Sequence, residues 1–131
     1  MKARVVSQPE KVLCYGIPEK SSAMQSVRTI LEKMRIDLRI ISDEETGETV
    51  GYLAGLPGFT PSNRAPQPAA GECLIMSGLT RQRMDELLQS LRACEVRIPL
   101  KAVVTAHNQR WTFGDLMEEL EKERQAVSVR R

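Results

Sequence analysis

The side chains best suited to chemistry in this chain fall in three short segments. Thr105-Ala106-His107-Asn108-Gln109-Arg110-Trp111 holds the single histidine. An imidazole titrates near neutral pH, which makes His107 the natural candidate for a general base. Spacing assigns it no serine or cysteine nucleophile and no acidic orienter. Asn108 equally suits shaping the turn, and Trp111 anchoring the helix that follows. The other two segments are Gly16-Ile17-Pro18-Glu19-Lys20-Ser21-Ser22 and Ser77-Gly78-Leu79-Thr80-Arg81-Gln82-Arg83. Each leads from an apolar run into a helix start, where unpaired N–H groups and the positive dipole end favour an anion. Lys20, Arg81 and Arg83 add positive charge there. The candidate ligand-binding residues are therefore Gly16, Lys20, Ser77, Gly78, Thr80, Arg81, Asn108 and Arg110. The glycines are single, so neither loop is a Walker or dinucleotide fingerprint, and no cofactor is implied. Ordinary capped helix starts with solvated basic residues are the preferred explanation of both.

Metal chemistry has less support. Asp43-Glu44-Glu45 could hold a cation but more often marks a helix start. Cys14, Cys73 and Cys94 form no C-x-x-C pair, and His107 lies at no useful ligand spacing from them. They are expected to be reduced thiols in a cytosolic protein.

Positioning these segments requires a scaffold, and the apolar pattern predicts one. Lys11-Val12-Leu13-Cys14-Tyr15-Gly16-Ile17 and Glu72-Cys73-Leu74-Ile75-Met76-Ser77-Gly78 are short, nearly continuous apolar runs, as strands covered on both faces require. A helix is predicted over 22–35, opened by Ser22 and Gln25 as a capping box, with Met24, Val27, Leu31 and Met34 on one face. A second is predicted from Thr80, with Met84, Leu87, Leu88, Leu91 and Cys94 on its apolar face. Ile36-Asp37-Leu38-Arg39-Ile40-Ile41 alternates like an edge strand. Val96, Ile98 and Leu100 lead into a fourth strand at Ala102-Val103-Val104. The halves 11–42 and 72–105 read as weak copies, matching Gly16 with Gly78 and Ile36, Leu38 and Ile40 with Val96, Ile98 and Leu100.

Between them, 43–71 divides in two. Gly47, Gly51 and Gly55 recur at every fourth position, predicting a short glycine-striped helix over 46–56, although each glycine costs about 1 kcal/mol in a helix. Residues 57–71, with Pro57, Pro61, Pro66 and Pro68, read as a mobile linker, with a lid as the alternative. A last helix is predicted over 112–124, started by Thr112 and Asp115, and fraying after Lys122.

The result is one α/β domain: a three-layer, shortened doubly wound and mostly parallel four-stranded sheet of order 2-1-3-4, with helices on both faces. All four strands are expected to share one direction, gathering the glycine turns and the histidine loop at one rim. Right-handed crossovers then set helix 22–35 on one side and helices 46–56 and 80–94 on the other, with the C-terminal helix covering the first. A ferredoxin-like βαββαβ sheet is the alternative.

The segment Ile98-Pro99-Leu100-Lys101-Ala102-Val103-Val104-Thr105, followed by Asn108 and Trp111-Thr112-Phe113, resembles a small bacterial family catalogued only as a domain of unknown function, DUF3783. The resemblance is strongest over 72–120 and looser around Gly51-Tyr52-Leu53. It implies no activity, cofactor or catalytic residue, and it directs attention to the loop at 105–112.

Bulk properties bound the function. The chain has 131 residues, 41% hydrophobic and 27% charged, with a formal net charge of +2. A charge so small implies no nucleic-acid partner without clustering. No apolar run approaches the ~20 residues a bilayer requires, and residues 1–6 lack a signal-peptide core. A non-enzymatic binding or regulatory module for a small anionic ligand or a protein partner, with a homodimer as one expected assembly, is expected first. The alternatives are a small enzyme using His107 as general base on a phosphate- or carboxylate-bearing substrate, and a structural interaction subunit.

Overall fold

The computed structural model describes residues 9–129; the expectations placed on residues 1–6 and on Arg130 and Arg131 lie outside them. The two apolar runs form β1 (Lys11–Tyr15) and β3 (Cys73–Ser77), buried along almost their whole length. β2 (Asp37–Ile40) and β4 (Leu100–Val103) complete a four-stranded sheet in the expected order, β2-β1-β3-β4. β1 pairs with β2, and β3 with β4, in parallel. The central pair, β1 with β3, is antiparallel, with Tyr15 opposite Cys73 and Lys11 opposite Ser77. The sheet is therefore mixed, and the common direction expected for all four strands is corrected.

The physical reason lies in the connection. A parallel β2-to-β3 crossover needs a helix spanning the sheet. The glycine-striped helix expected over 46–56 does not exist. The segment instead makes a 3₁₀ turn (Asp43–Gly47), an extended step at Glu48 and Thr49, and a single helical turn, α2 (Val50–Leu53). One turn rises only about 6 Å, too little to carry the chain across the sheet. Residues 57–71 then bring β3 in from the end at which β2 finished.

Four α-helices among the described residues cover the faces. α1 (Ser22–Met34) and α3 (Arg81–Ala93) lie together on one face over Val12, Cys14, Leu74 and Met76. α2 and α4 (Phe113–Val129) cover the other over Leu13, Tyr15, Cys73 and Ile75. The expected distribution placed α1 and α3 on opposite faces. Reversing the second βαβ unit by a twofold axis normal to the sheet keeps the crossover hand, and so puts both helices on one side.

That approximate twofold relates the halves in detail. α1 is capped by Ser21, not Ser22: the Ser21 hydroxyl accepts the Met24 N–H at 3.1 Å. Thr80 caps α3 through the Arg83 N–H. Both helices end on a non-glycine residue in the left-handed region, Arg35 at φ 60° and Glu95 at φ 58°. Each is followed by the same closing bond, Ile36 N–H to the Leu31 carbonyl and Val96 N–H to the Leu91 carbonyl, both 2.9 Å, which satisfies a carbonyl the helix end would leave bare. Beyond β2 and β4 the match continues. Thr49 and Thr112 cap α2 and α4, and Thr49-Val50-Gly51-Tyr52-Leu53 superposes on Thr112-Phe113-Gly114-Asp115-Leu116. The repeat thus extends past the expected halves 11–42 and 72–105 into the segments that follow each of them. It also moves the strand match: Asp37 corresponds to Leu100, since each opens its strand opposite the first residue of its partner. Leu100 therefore does not correspond to Ile40.

α4 continues to Val129, past the expected fraying point. Residues 57–71 cross the second face as a strap. The Ser62 N–H donates to a Glu48 carboxylate oxygen at 2.7 Å, and the Gln67 N–H to Thr46 Oγ1 at 2.7 Å. The strap also passes both repeat glycines. A Cβ on Gly51 would meet the Phe59 ring at 2.6 Å, and one on Gly114 the Gln67 side chain at 2.5 Å.

Candidate functional site

The antiparallel centre divides the residues singled out from sequence between two ends of the sheet. Gly16, at φ 82°, and exposed Lys20 follow β1 at one end, where Gly71 packs too closely on Gly16 for a side chain. Ser77, Gly78, Thr80 and Arg81 follow β3 at the opposite end, together with His107, Asn108 and Arg110 beyond β4. The single rim expected to join Lys20 to Arg81 does not form. Within the second group, α3 leaves toward one face and the 3₁₀ turn Asn108–Arg110 toward the other.

Several of these polar groups are already engaged. Asn108, 8% exposed, accepts the Thr105 N–H at 2.9 Å, donates from Nδ2 to the Val103 carbonyl at 2.9 Å, and gives its own N–H to Thr105 Oγ1. Ser77 is buried. Arg83 grips both Glu10 carboxylate oxygens, at 2.9 and 2.6 Å, and donates to the Met34 carbonyl at the end of α1. Arg81, Lys20 and Arg110 are exposed. His107 is exposed too, edge-on to Trp111 with ring centroids 5.1 Å apart, and no carboxylate pairs with it among the described residues.

At the other end, Asp43 accepts the Tyr15 hydroxyl at 2.5 Å. Burial, reinforced by this carboxylate, raises the Tyr15 pKa above its ordinary value. Glu45 closes a capping box on Ser42 and pairs with Arg39 at 2.6 Å. Burial opposes its ionisation, but the Ser42 N–H and Arg39 outweigh it and hold the carboxyl low. Asp43-Glu44-Glu45 is thus a helix start. Cys14 and Cys73 are buried on opposite faces of the sheet, while Cys94 is exposed rather than part of the apolar face expected of α3.

The two outer edges of the sheet differ in a way that repeat equivalence makes explicit. In β2, Arg39 pairs with Glu45 and donates to the Leu53 carbonyl, closing one side of the edge. The corresponding residues by β4 are Ala102 and Asn108, which make no such pair. On the helix side, the groove beside β2 carries Arg28, Glu32, Arg35 and Asp37. Aligned on Arg35 and Glu95, its counterpart beside β4 carries Leu88 and Arg92 in place of Arg28 and Glu32. That groove, of about 130 Å³, is walled by Leu88, Leu91, Val96 and Ile98 with Arg92 and Lys101 at its rim. A second groove, of about 310 Å³, lies on the opposite face between β4 and α4, walled by Pro99, Leu100, Leu120 and Val127 with Lys101, Glu123 and Arg124 along it. Among the described residues Val127 is an exposed large apolar side chain, at 57%.

Hydrogen-bond parity fixes which backbone groups face outward. Leu100 and Val104 donate to Glu72 and Met76 on the β3 side, so Lys101 and Val103 present their N–H and C=O groups to the open edge. Asn108 takes the Val103 carbonyl, and no other partner for these groups occurs among the described residues. The expected order 2-1-3-4 already put the fourth strand at an edge, but none of the candidate site residues lay on it. Its signal was there: a lone lysine within a short apolar strand is a common guard against unwanted pairing.

The fold defines a two-unit α/β protein with a mixed sheet whose two edges differ in the charge of the residues beside them. Residues 72–127 match the family described as Domain of unknown function (DUF3783), so the resemblance read from the 98–113 segment holds there. The matched stretch coincides with one repeat unit, from the start of β3 almost to the end of α4. No curated protein and no solved structure matches the chain. No helix among the described residues is long and apolar enough to cross a membrane.

Proposed function

We propose that the chain is a non-enzymatic binding module that takes an extended segment of a partner protein as a fifth strand on β4. The observation that supports this is the divergence of the two edges: the Arg39–Glu45 pair covers one side of β2 and charged residues line its helix-side groove, while β4 has alanine and asparagine at the paired places and a groove with apolar walls on each face. In strand addition, main-chain bonds supply affinity and alternate side chains entering flanking grooves supply specificity. The small-anion alternative loses support because Lys20 and Arg81 sit at opposite ends. Catalysis by His107 has no orienting carboxylate among the described residues to support it. A cytosolic setting belongs to the proposal, supported by three unpaired thiols.

Panning a random dodecapeptide display library on the full chain tests this. Selected peptides are expected to slow hydrogen exchange at the Lys101 and Val103 amides, and N-methylation of alternate peptide residues is expected to abolish binding. Selected peptides that protect other amides and leave these two unchanged would overturn the proposal.

A further inference from the structure

Resting on β4 as the binding edge, we propose that the strand it accepts is acidic as well as apolar, with carboxylates on the side chains turned toward α3. Arg92 and Lys101 are the charged residues lining the α3-side groove, and both are exposed at its mouth. Arg97 lies exposed just beyond them, beside Glu95. None of the three cations forms an ion pair among the described residues. The Lys101 ammonium is held at the edge by the Ile98 carbonyl, 2.6 Å away, a contact that leaves its charge uncompensated. On the α4 side the balance differs: Arg124 is paired to Glu121, and Glu123 offsets Lys101, which borders that groove as well. An incoming strand therefore meets net positive charge on one face alone.

The same charges disfavour a second copy of this chain. Antiparallel pairing of two β4 strands about Ala102 would place both copies of Lys101 on one face, two residues and one strand spacing apart, and like charges so placed are destabilising. A partner with carboxylates at those positions converts the repulsion into attraction and gains in encounter rate.

The test uses the full chain and three fluorescein-labelled decapeptides that alternate valine with glutamate, threonine or lysine, read by anisotropy. The valine–glutamate peptide is expected to bind about fivefold or more tighter than the valine–threonine one, with valine–lysine weakest, the gap narrowing as salt rises. Lys101→Glu and Arg92→Glu together are expected to reverse the order, and circular dichroism confirms that the variant folds. Where that variant is unfolded, Lys101→Gln replaces it and is expected to shrink the glutamate preference. Equal binding of the glutamate and threonine peptides, with N-methylation still abolishing both, overturns the acidic preference and leaves the edge site standing. Equal binding of polyglutamate without valine overturns the strand geometry. Failure of all three peptides, with the edge amides unprotected, removes the binding edge itself. Reversible dimerisation in sedimentation velocity, lost in Val103→Pro, would assign the edge to a second copy instead.

Discussion

Thr49 and Thr112, sixty-three residues apart, face each other in an antiparallel bridge on the approximate twofold of the molecule. The Val50 N–H donates to the Trp111 carbonyl and the Phe113 N–H to the Glu48 carbonyl, both at 2.9 Å. Each threonine hydroxyl caps the helix its own backbone opens. The pair therefore locks α2 to α4 on one face as the antiparallel β1–β3 ladder joins the halves within the sheet.

The glycines two residues later are expected to be unequal under substitution. Gly114→Ala would bring a Cβ to 2.5 Å from the Gln67 Cβ and 2.8 Å from its carbonyl oxygen, so the strap backbone must move. A loss of about 2 kcal/mol is expected, as for overpacking generally. In Gly51→Ala the clash is with the Phe59 ring, which can swing away. The cost there is expected to be smaller, and the strap to become more sensitive to limited proteolysis. Urea denaturation together with proteolysis checks both.

Asn108 performs a cap and an edge bond that its repeat counterpart, Glu45, divides differently. Asn108→Ala removes bonds to the Thr105 N–H and the Val103 carbonyl, both part-buried, and should cost about 2 kcal/mol. Asn108→Glu can still accept the Thr105 N–H but cannot donate to the Val103 carbonyl. It should recover only part of the loss. Chemical denaturation of the two variants side by side decides the point.

Acid stability should depend on Glu10. The Arg83 guanidinium bonded to it holds its carboxyl below the ordinary value of 4.5. A depressed folded pKa contributes stability that is present above the unfolded value and lost as pH falls through the folded one. Glu10→Gln should therefore cost about 1 kcal/mol at pH 7 and nothing once the wild-type carboxyl is protonated. Denaturation midpoints measured from pH 7 to 2 should converge at the acid end.

At alkaline pH the buried thiols take over. Burial pushes Cys14 and Cys73 from 9.0 up to about 12, and Tyr15 shifts in the same direction. Raised folded pKa values give stability that is full below the unfolded values and is lost as pH rises toward the folded ones. Stability should therefore decline between pH 9 and 12, and Cys73→Ala should flatten that decline. In native protein at pH 8, Cys94 should react with a thiol reagent at once, and the other two only on unfolding. Rapid reaction of all three would contradict their burial.

Local pattern carried much of this fold. The 3.6-residue spacing of Met24, Val27 and Leu31 and the unbroken apolar runs of β1 and β3 reflect burial that any packing of the halves requires, and all were legible. So was the order of the strands, because continuous apolar runs belong at the centre of a sheet. Capping was less legible: Ser21 and Ser22 are adjacent and chemically equivalent, and only backbone conformation separates them. The 46–56 segment misled because its glycines share a helical period. They are instead a close approach by the strap at Gly47 and Gly51 and a left-handed turn at Gly55.

The candidate site was less legible still. Asn108 and Thr80 stood out as polar residues in loops, the usual place for ligand contacts, yet both are committed to backbone caps. The β4 edge stayed hidden because its character depends on comparison with β2, and the equivalence of Arg39 with Ala102 follows from register, which is off by three from the match that apolar pattern suggested.

The chain's own residue pattern established two βαβ units, their internal packing faces and their neighbours in the sheet, since periodicity and crossover hand act within each unit. The direction of one unit against the other was settled only in three dimensions. It depends on whether the 43–71 connection spans the sheet or returns to the end it left, and that in turn on an extended step at Glu48 and Thr49 held by the bridge that pairs Thr49 with Thr112. No local propensity encodes such a contact. Yet it separates Lys20 from Arg81 and gathers α1 with α3 on one face.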